Sequence, residues 1–198
     1  MRSDVFREEL KLIEDVHLRQ FTKDYLNECV PAYFWLVPAS SSGKYHPQYA
    51  LGVGGLVRHT KACVKIAEDL LSLEQNEALS ALYHDEIISA LIVHDTFKQG
   101  IKGGHTVFDH PIVAVRALYL FAKTKEYNKV TQSKIERIQR LVACHMGQWN
   151  RSGRSLAVLP KPATDAEKFV HMCDYLASRK YLTVEVSYEP PKEEETPT

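Results

Sequence analysis

An imidazole nitrogen beside a carboxylate oxygen is a donor pair suited to a divalent cation, and the chain places one at His94-Asp95, where the apolar helical run Ala90-Leu-Ile-Val ends. Lys98 follows three residues after Asp95, close enough to reach an anionic group held at the same point. The stretch reads as a metal site with a phosphate clamp. The chain carries its own control in His84-Asp85, ten residues earlier. Ten residues turn a helix by roughly 1000°, about 80° short of whole turns, so the two pairs face different ways and only one can point at a given ion. His84-Asp85 lies in the polar stretch Tyr83-His84-Asp85-Glu86, has no lysine at the matching offset, and is read as a solvated face.

Four more residues complete the candidate ligand set: His59, His110, His145 and Asp174. Each falls near a predicted helix terminus or on a helix facing the core, and a helical bundle can bring such side chains to one interior point. Any one of these histidines, taken alone, is more often a packed core residue; their number is what points to a metal. Nitrogen and carboxylate donors without thiolate suit Mn, Fe, Co, Ni or Zn, with no choice among them from sequence. His105 and His171 are secondary candidates. His171 lies three residues before Asp174 on the same helix face, as a proton-delivering group or as a packed one.

The loop Gly147-Gln-Trp149-Asn-Arg151-Ser-Gly-Arg154 follows directly on His145 and offers an aromatic for base stacking and guanidiniums for phosphate. Trp149 and Arg151 are therefore candidate substrate contacts, against the alternative of a solvent loop with a packed tryptophan. Arg179, beyond Asp174, is a third candidate; it serves equally as part of a basic helix C-terminus favoured by the helix dipole.

The elements that must position these groups are mainly helical. Ser3 to Cys29 reads as an amphipathic helix broken once near His17 to Thr22. The segment from Pro31 to Gly55 is loop-like, and its Tyr33, Phe34, Trp35, Tyr45 and Tyr49 either wall a pocket or anchor the loop. Helices are expected from Gly55 to about Leu73, with His59 in its first turns, and from a cap at Asn76, with Leu79, Leu82, Ile87, Ala90, Leu91 and Val93 inward, ending at His94-Asp95. A further helix starts at Asp109-His110-Pro111. The pattern Ser133-Lys-Ile-Glu136 opens another that ends near His145, and Thr164-Asp-Ala-Glu167 opens the one carrying Asp174. Tyr181 to Tyr188 alternates at period two, as a short strand or an extended tail. Residues 189–198, with Glu193-Glu-Glu195 and prolines, read as a disordered tail.

At 198 residues and 44% hydrophobic composition, one domain over 1–188 is expected, with a helical segment 1–54 packed on a core spanning 55–180. Lysine plus arginine balances aspartate plus glutamate at 25 each, which argues against a DNA-coating role and leaves any anionic substrate to a local charge cluster. The four cysteines are scattered, so neither zinc ribbon nor disulfide framework is indicated. No signal peptide and no run of roughly 18 apolar residues is visible; the expectation is a cytoplasmic, reduced protein without a membrane role. The oligomeric state, homo-oligomer included, stays open.

The order His, His-Asp, Asp resembles the HD-domain metal-dependent phosphohydrolases. The likeness runs from Gly54 to Lys180, through Gly55-Leu-Val-Arg-His59-Thr60, His94-Asp95-Thr-Phe-Lys98 and Cys173-Asp174-Tyr-Leu-Ala-Ser-Arg179-Lys180. His110 and His145 resemble the additional ligands of the two-metal subgroup, which includes cyclic-dinucleotide phosphodiesterases and 3′-to-5′ exoribonucleases. The Gly-Tyr-Pro signature of the cyclic-di-GMP enzymes is missing. The resemblance implies an HD-type helical bundle, a first ion held by His59, His94, Asp95 and Asp174, and a second bridged by Asp95 to His110 and His145. It further implies a metal-activated water attacking phosphorus and Lys98 neutralising a phosphate oxygen. The substrate expected is a nucleotide or short oligonucleotide. A 3′-to-5′ exonuclease on single strands, or a non-catalytic metal-dependent nucleotide-binding module, is the alternative.

Overall fold

In the computed structural model, residues 1–40, 43–182, 185–186 and 188 are described. Seven α-helices form the architecture, and the described residues contain no strand. They are α1 (Arg7–Lys11), α2 (Val16–Glu28), α3 (Gly55–Leu71), α4 (Glu77–Val93), α5 (His110–Ala122), α6 (Lys129–Ala143) and α7 (Asp165–Ala177). Within the expected strand, residues 183, 184 and 187 lie outside the described residues, as does the expected tail 189–198. None of the helices described is long and apolar enough to cross a membrane.

The central element is α4, which packs against α2, α3, α6 and α7. Its second half explains that position. Every residue from Glu86 to Val93 is buried, because Ile87, Ile88, Ala90, Leu91, Ile92 and Val93 leave it apolar all round. The single inward stripe expected from sequence is corrected at both ends. Leu82 is 68% exposed, while Ile88 and Ile92 are buried with the rest. One contiguous core runs from Phe6 in the N-terminal turn to Ala177 at the end of α7.

Several boundaries shift for local reasons. The break between α1 and α2 falls at residues 12–15, before the expected His17, because the Asp15 carboxylate accepts the amides of His17 and Leu18 and caps α2. Asn76 occupies the start of α4 without capping it; its amide donates to the Leu70 carbonyl instead, at 2.8 Å. The α6 cap is Asn128, five residues before Ser133, whose hydroxyl accepts from Arg137. Thr164 and Glu167 do form the expected reciprocal cap of α7.

The stretch read as a solvated face is instead a structural tie. Asp85 accepts the backbone amides of Glu14 and Asp15, His84 pairs with Glu68, and buried Glu86 binds Arg137 at 2.6 Å. The turn between α1 and α2 lies across this face of α4, a contact made by residues some seventy positions away.

Aromatics of the 31–55 segment divide between the two expected roles. Phe34 and Trp35 are buried against Phe6 and anchor the segment, whereas Tyr45 lines a cavity beside the histidine cluster. Tyr33 reaches the loop after α4, its hydroxyl donating to the Gly100 carbonyl at 2.6 Å and accepting from the Gln99 amide.

Candidate metal centre

Five helices deliver the candidate ligands. His59 lies in the second turn of α3, His94 and Asp95 follow α4, His110 opens α5, His145 follows α6, and Asp174 lies on α7. His59, His94, Asp95, His110 and His145 are all buried. Their ring nitrogens and carboxylate oxygens converge around the two oxygens of Asp95.

On one side, His59 Nε2 is 3.0 Å from Asp174 Oδ1 and 3.9 Å from Asp95 Oδ2, and His94 Nε2 is 3.7 Å and 3.5 Å from the same two oxygens. On the other side, Asp95 Oδ1 is 3.0 Å from His110 Nε2 and 3.6 Å from His145 Nε2, and the two imidazoles are 3.1 Å apart. With metal–ligand bonds of about 2.1 Å, neighbouring donors lie about 3.0 Å apart in an octahedron and about 3.4 Å apart in a tetrahedron. The spacing of these atoms is therefore that of donors around a cation. Cys63 Sγ, 3.6 Å from His59 Nε2, extends the donors of the first side to His59, Cys63, His94 and Asp174.

Hydrogen bonding explains why these nitrogens are available. His94, His110 and His145 each donate Nδ1–H to a backbone carbonyl three residues before, at Leu91, Val107 and Val142. With Nδ1–H committed in this way, the Nε2 atom of each ring is the one left facing the cluster. His94 Nε2 and Asp95 Oδ1 are buried without a hydrogen-bond partner, a state that costs about 1–3 kcal/mol per group unless something else satisfies it. A divalent cation fits this donor set, so buried histidine, cysteine and aspartate groups can hold a metal ion here. His59 lacks a backbone anchor, and its Nδ1 is buried with no partner.

The electrostatics follow from burial and neighbouring charge. Burial opposes ionisation of Asp95, but Lys98 and the surrounding histidines outweigh it and hold the carboxyl well below its usual range. Asp174 is held down in the same way, against burial, by His59 and His94. Burial, with Lys98 adding to it, drives His110 down to about 4, leaving it neutral at pH 7. Burial also works against the Lys98 ammonium, yet Asp95 and Asp174 raise its pKa and keep it charged.

Lys98 donates to Asp95 Oδ2 at 2.8 Å, and its side chain is 14% exposed. The bond of its carbonyl to the Val107 amide closes the following loop at its base. Trp149 stacks on Tyr175 with ring centres 5.6 Å apart, and the Arg179 guanidinium lies 4.2 Å over Tyr175. All three line the cavity beside Lys98 and Asp174. Arg151 is exposed and lines neither cavity that reaches the cluster; Arg154 lines the second one. His105 is exposed and takes no part in the cluster's contacts. His171 donates from Nδ1 to the His145 carbonyl at 2.7 Å and packs on Trp149, so it positions the ligand loop.

His46 is a residue that the sequence reading missed. Its ring meets His59 edge-on at 5.5 Å and lines the cavity with Lys98, and burial, helped by the Lys98 charge, pushes it down to about 4. The only local signal is His46-Pro47 ahead of the glycine turn that starts α3, inside a segment without helical periodicity. Compared with family models, with curated proteins and with solved structures, the chain matches none.

Proposed function

We propose that the protein is a metal-dependent phosphohydrolase of the HD-domain type, acting on a phosphate ester or diester of a nucleotide or short oligonucleotide. The observation that carries this reading is the double-sided environment of Asp95. One oxygen faces His59 and His94, both of which also approach Asp174, the other faces His110 and His145, and Lys98 reaches the same carboxylate from the open cavity. In this reading His59, His94, Asp95 and Asp174 hold one divalent ion, and Asp95, His110 and His145 hold a second, drawn from Mn, Fe, Co, Ni or Zn. Such ions supply Lewis acidity at phosphorus and make water a competent nucleophile near neutral pH.

The protein's own groups then have defined tasks. The carbonyl-anchored histidines keep the donor nitrogens aimed without reorganisation. Charged Lys98 meets a non-bridging phosphate oxygen as negative charge builds there, a contribution of the kind made by oxyanion donors. Arg179, Tyr175 and Trp149 form one wall of the adjoining cavity and suit a base and its phosphate.

The test is a hydrolysis panel on protein of known metal content, covering p-nitrophenyl phosphate, nucleoside mono- and triphosphates and short single-stranded RNA, with each candidate metal added in turn. Metal-dependent turnover that disappears in Asp95→Ala supports the reading. Bound metal with no turnover on any ester would turn the assignment to a non-catalytic nucleotide-binding module.

A further inference from the structure

Two cavities, of about 570 Å³ and about 600 Å³, meet at the candidate centre. Lys98 and Met146 line both of them. Asp174 lies in the wall of the first and His110 in that of the second, so ligands from the two sides of Asp95 open onto different lobes. Each lobe alone is large enough for a ligand.

We infer that the substrate is a short single-stranded oligonucleotide, minimally a dinucleotide, with its scissile phosphate at Lys98 and one nucleoside in each lobe. The inference rests on the phosphohydrolase reading and narrows it. A phosphate monoester has one organic substituent and fills one lobe; a diester has two. The first lobe is the aromatic one. Its Trp149 is 44% exposed while already stacked on Tyr175, so a base adds to the open surface of Trp149 and extends the column that Arg179 begins.

The second lobe is mixed: Val107, Phe108 and Met146 give it an apolar part, and Ser152, Ser155, Arg154 and Asp109 give it a polar one. Arg154 has no carboxylate partner among the described residues. One guanidinium with hydroxyls suits a ribose and its next phosphate. A nucleoside triphosphate carries a single nucleoside and would leave one lobe without one. In the reaction, the water oxygen bonds to phosphorus and one of the two ester P–O bonds breaks. The departing oxygen leaves as an alcohol with one proton from the water, and the phosphate stays on the other nucleoside as a monoester.

The experiment uses the full chain loaded with a quantified metal. Isothermal titration calorimetry compares the dinucleotide pApA with AMP and ATP, and hydrolysis of the same three compounds and of p-nitrophenyl phosphate is followed in parallel. The dinucleotide is expected to bind at least about tenfold more tightly than AMP or ATP. Trp149→Leu should weaken it by about 5- to 150-fold, the value of one stacked base, and Arg154→Ala, on an exposed loop, should remove most of the gap between pApA and AMP. Equal affinity for AMP or ATP and pApA, or a gap that survives Arg154→Ala, would overturn the two-lobe site. Turnover of p-nitrophenyl phosphate without dinucleotide preference sinks this inference and spares the phosphohydrolase reading. Dinucleotide-selective binding with no ester hydrolysed sinks the enzyme and supports the two-lobe site.

Discussion

His110 and His145 turn their Nε2 atoms toward each other across 3.1 Å, each having committed its Nδ1–H to a backbone carbonyl. Both Nε2 atoms also face the Asp95 Oδ1 oxygen, 3.0 Å and 3.6 Å away, so a cation among the three would satisfy them together. A second cation site at this point has a stoichiometric signature. His110→Ala and His145→Ala should each lose one metal equivalent and keep the other, while Asp95→Ala should lose both, as read by elemental analysis after desalting. An unchanged metal count in His110→Ala would remove the second site.

Lys98 touches Asp95 and faces the cavity but belongs to neither ligand group, so its loss should separate chemistry from metal binding. Lys98→Ala is expected to keep its metal and to lower turnover by about 10²- to 10³-fold, the range seen when a transition-state donor is removed. Steady-state kinetics on metal-quantified protein decide it. Parental turnover in Lys98→Ala means that the phosphate clamp is wrong.

The legible part of this molecule was its local chemistry. Helix periodicity located α3, α4, α5 and α7 closely, and the histidines and aspartates singled out by type and spacing do converge. What escaped depends on distant partners. Asp85 looked solvated because nothing near it in sequence announces the Glu14 and Asp15 amides that it binds. The same holds for Glu86, whose Arg137 lies on α6. His46 was missed because a loop residue has no periodic face to betray its direction. Arg154, not Arg151, lines a cavity at the centre, and no periodicity in this loop distinguishes the two guanidiniums in sequence.

Gly147 links the ligand loop to α7. Its φ of +59° is in the left-handed region, and a Cβ there would run into the His171 ring. Since His171 holds the His145 carbonyl, Gly147→Ala should loosen His145 as well as strain the turn. A loss of about 1–3 kcal/mol is expected, which for a chain of this size lowers Tm by roughly 2–12 °C. Thermal unfolding of the metal-stripped protein checks it, and a Tm equal to the parent's would show that the loop absorbs the methyl group.

Asp15 gives the N-terminal half of the chain a pH dependence independent of the metal centre. Its carboxylate caps α2 through His17 and Leu18 and binds Lys134 on α6 at 2.9 Å. Burial raises its pKa, but Lys134 and the two amides outweigh that effect and leave it below its ordinary value. A carboxyl whose pKa is depressed on folding stabilises fully above its unfolded value of about 3.9, and that contribution disappears as pH falls through the lower, folded value. Asp15→Ala should therefore be less stable than the parent at neutral pH by about 1–2 kcal/mol. Asp15→Asn keeps the cap acceptor, loses only the charge, and should fall between them. Urea unfolding at about pH 7 and about pH 3 tests the sign, because the gap between parent and Asp15→Asn must narrow at the acid end. A gap that widens there would mean that the neutral acid, rather than the carboxylate, is the form the fold prefers.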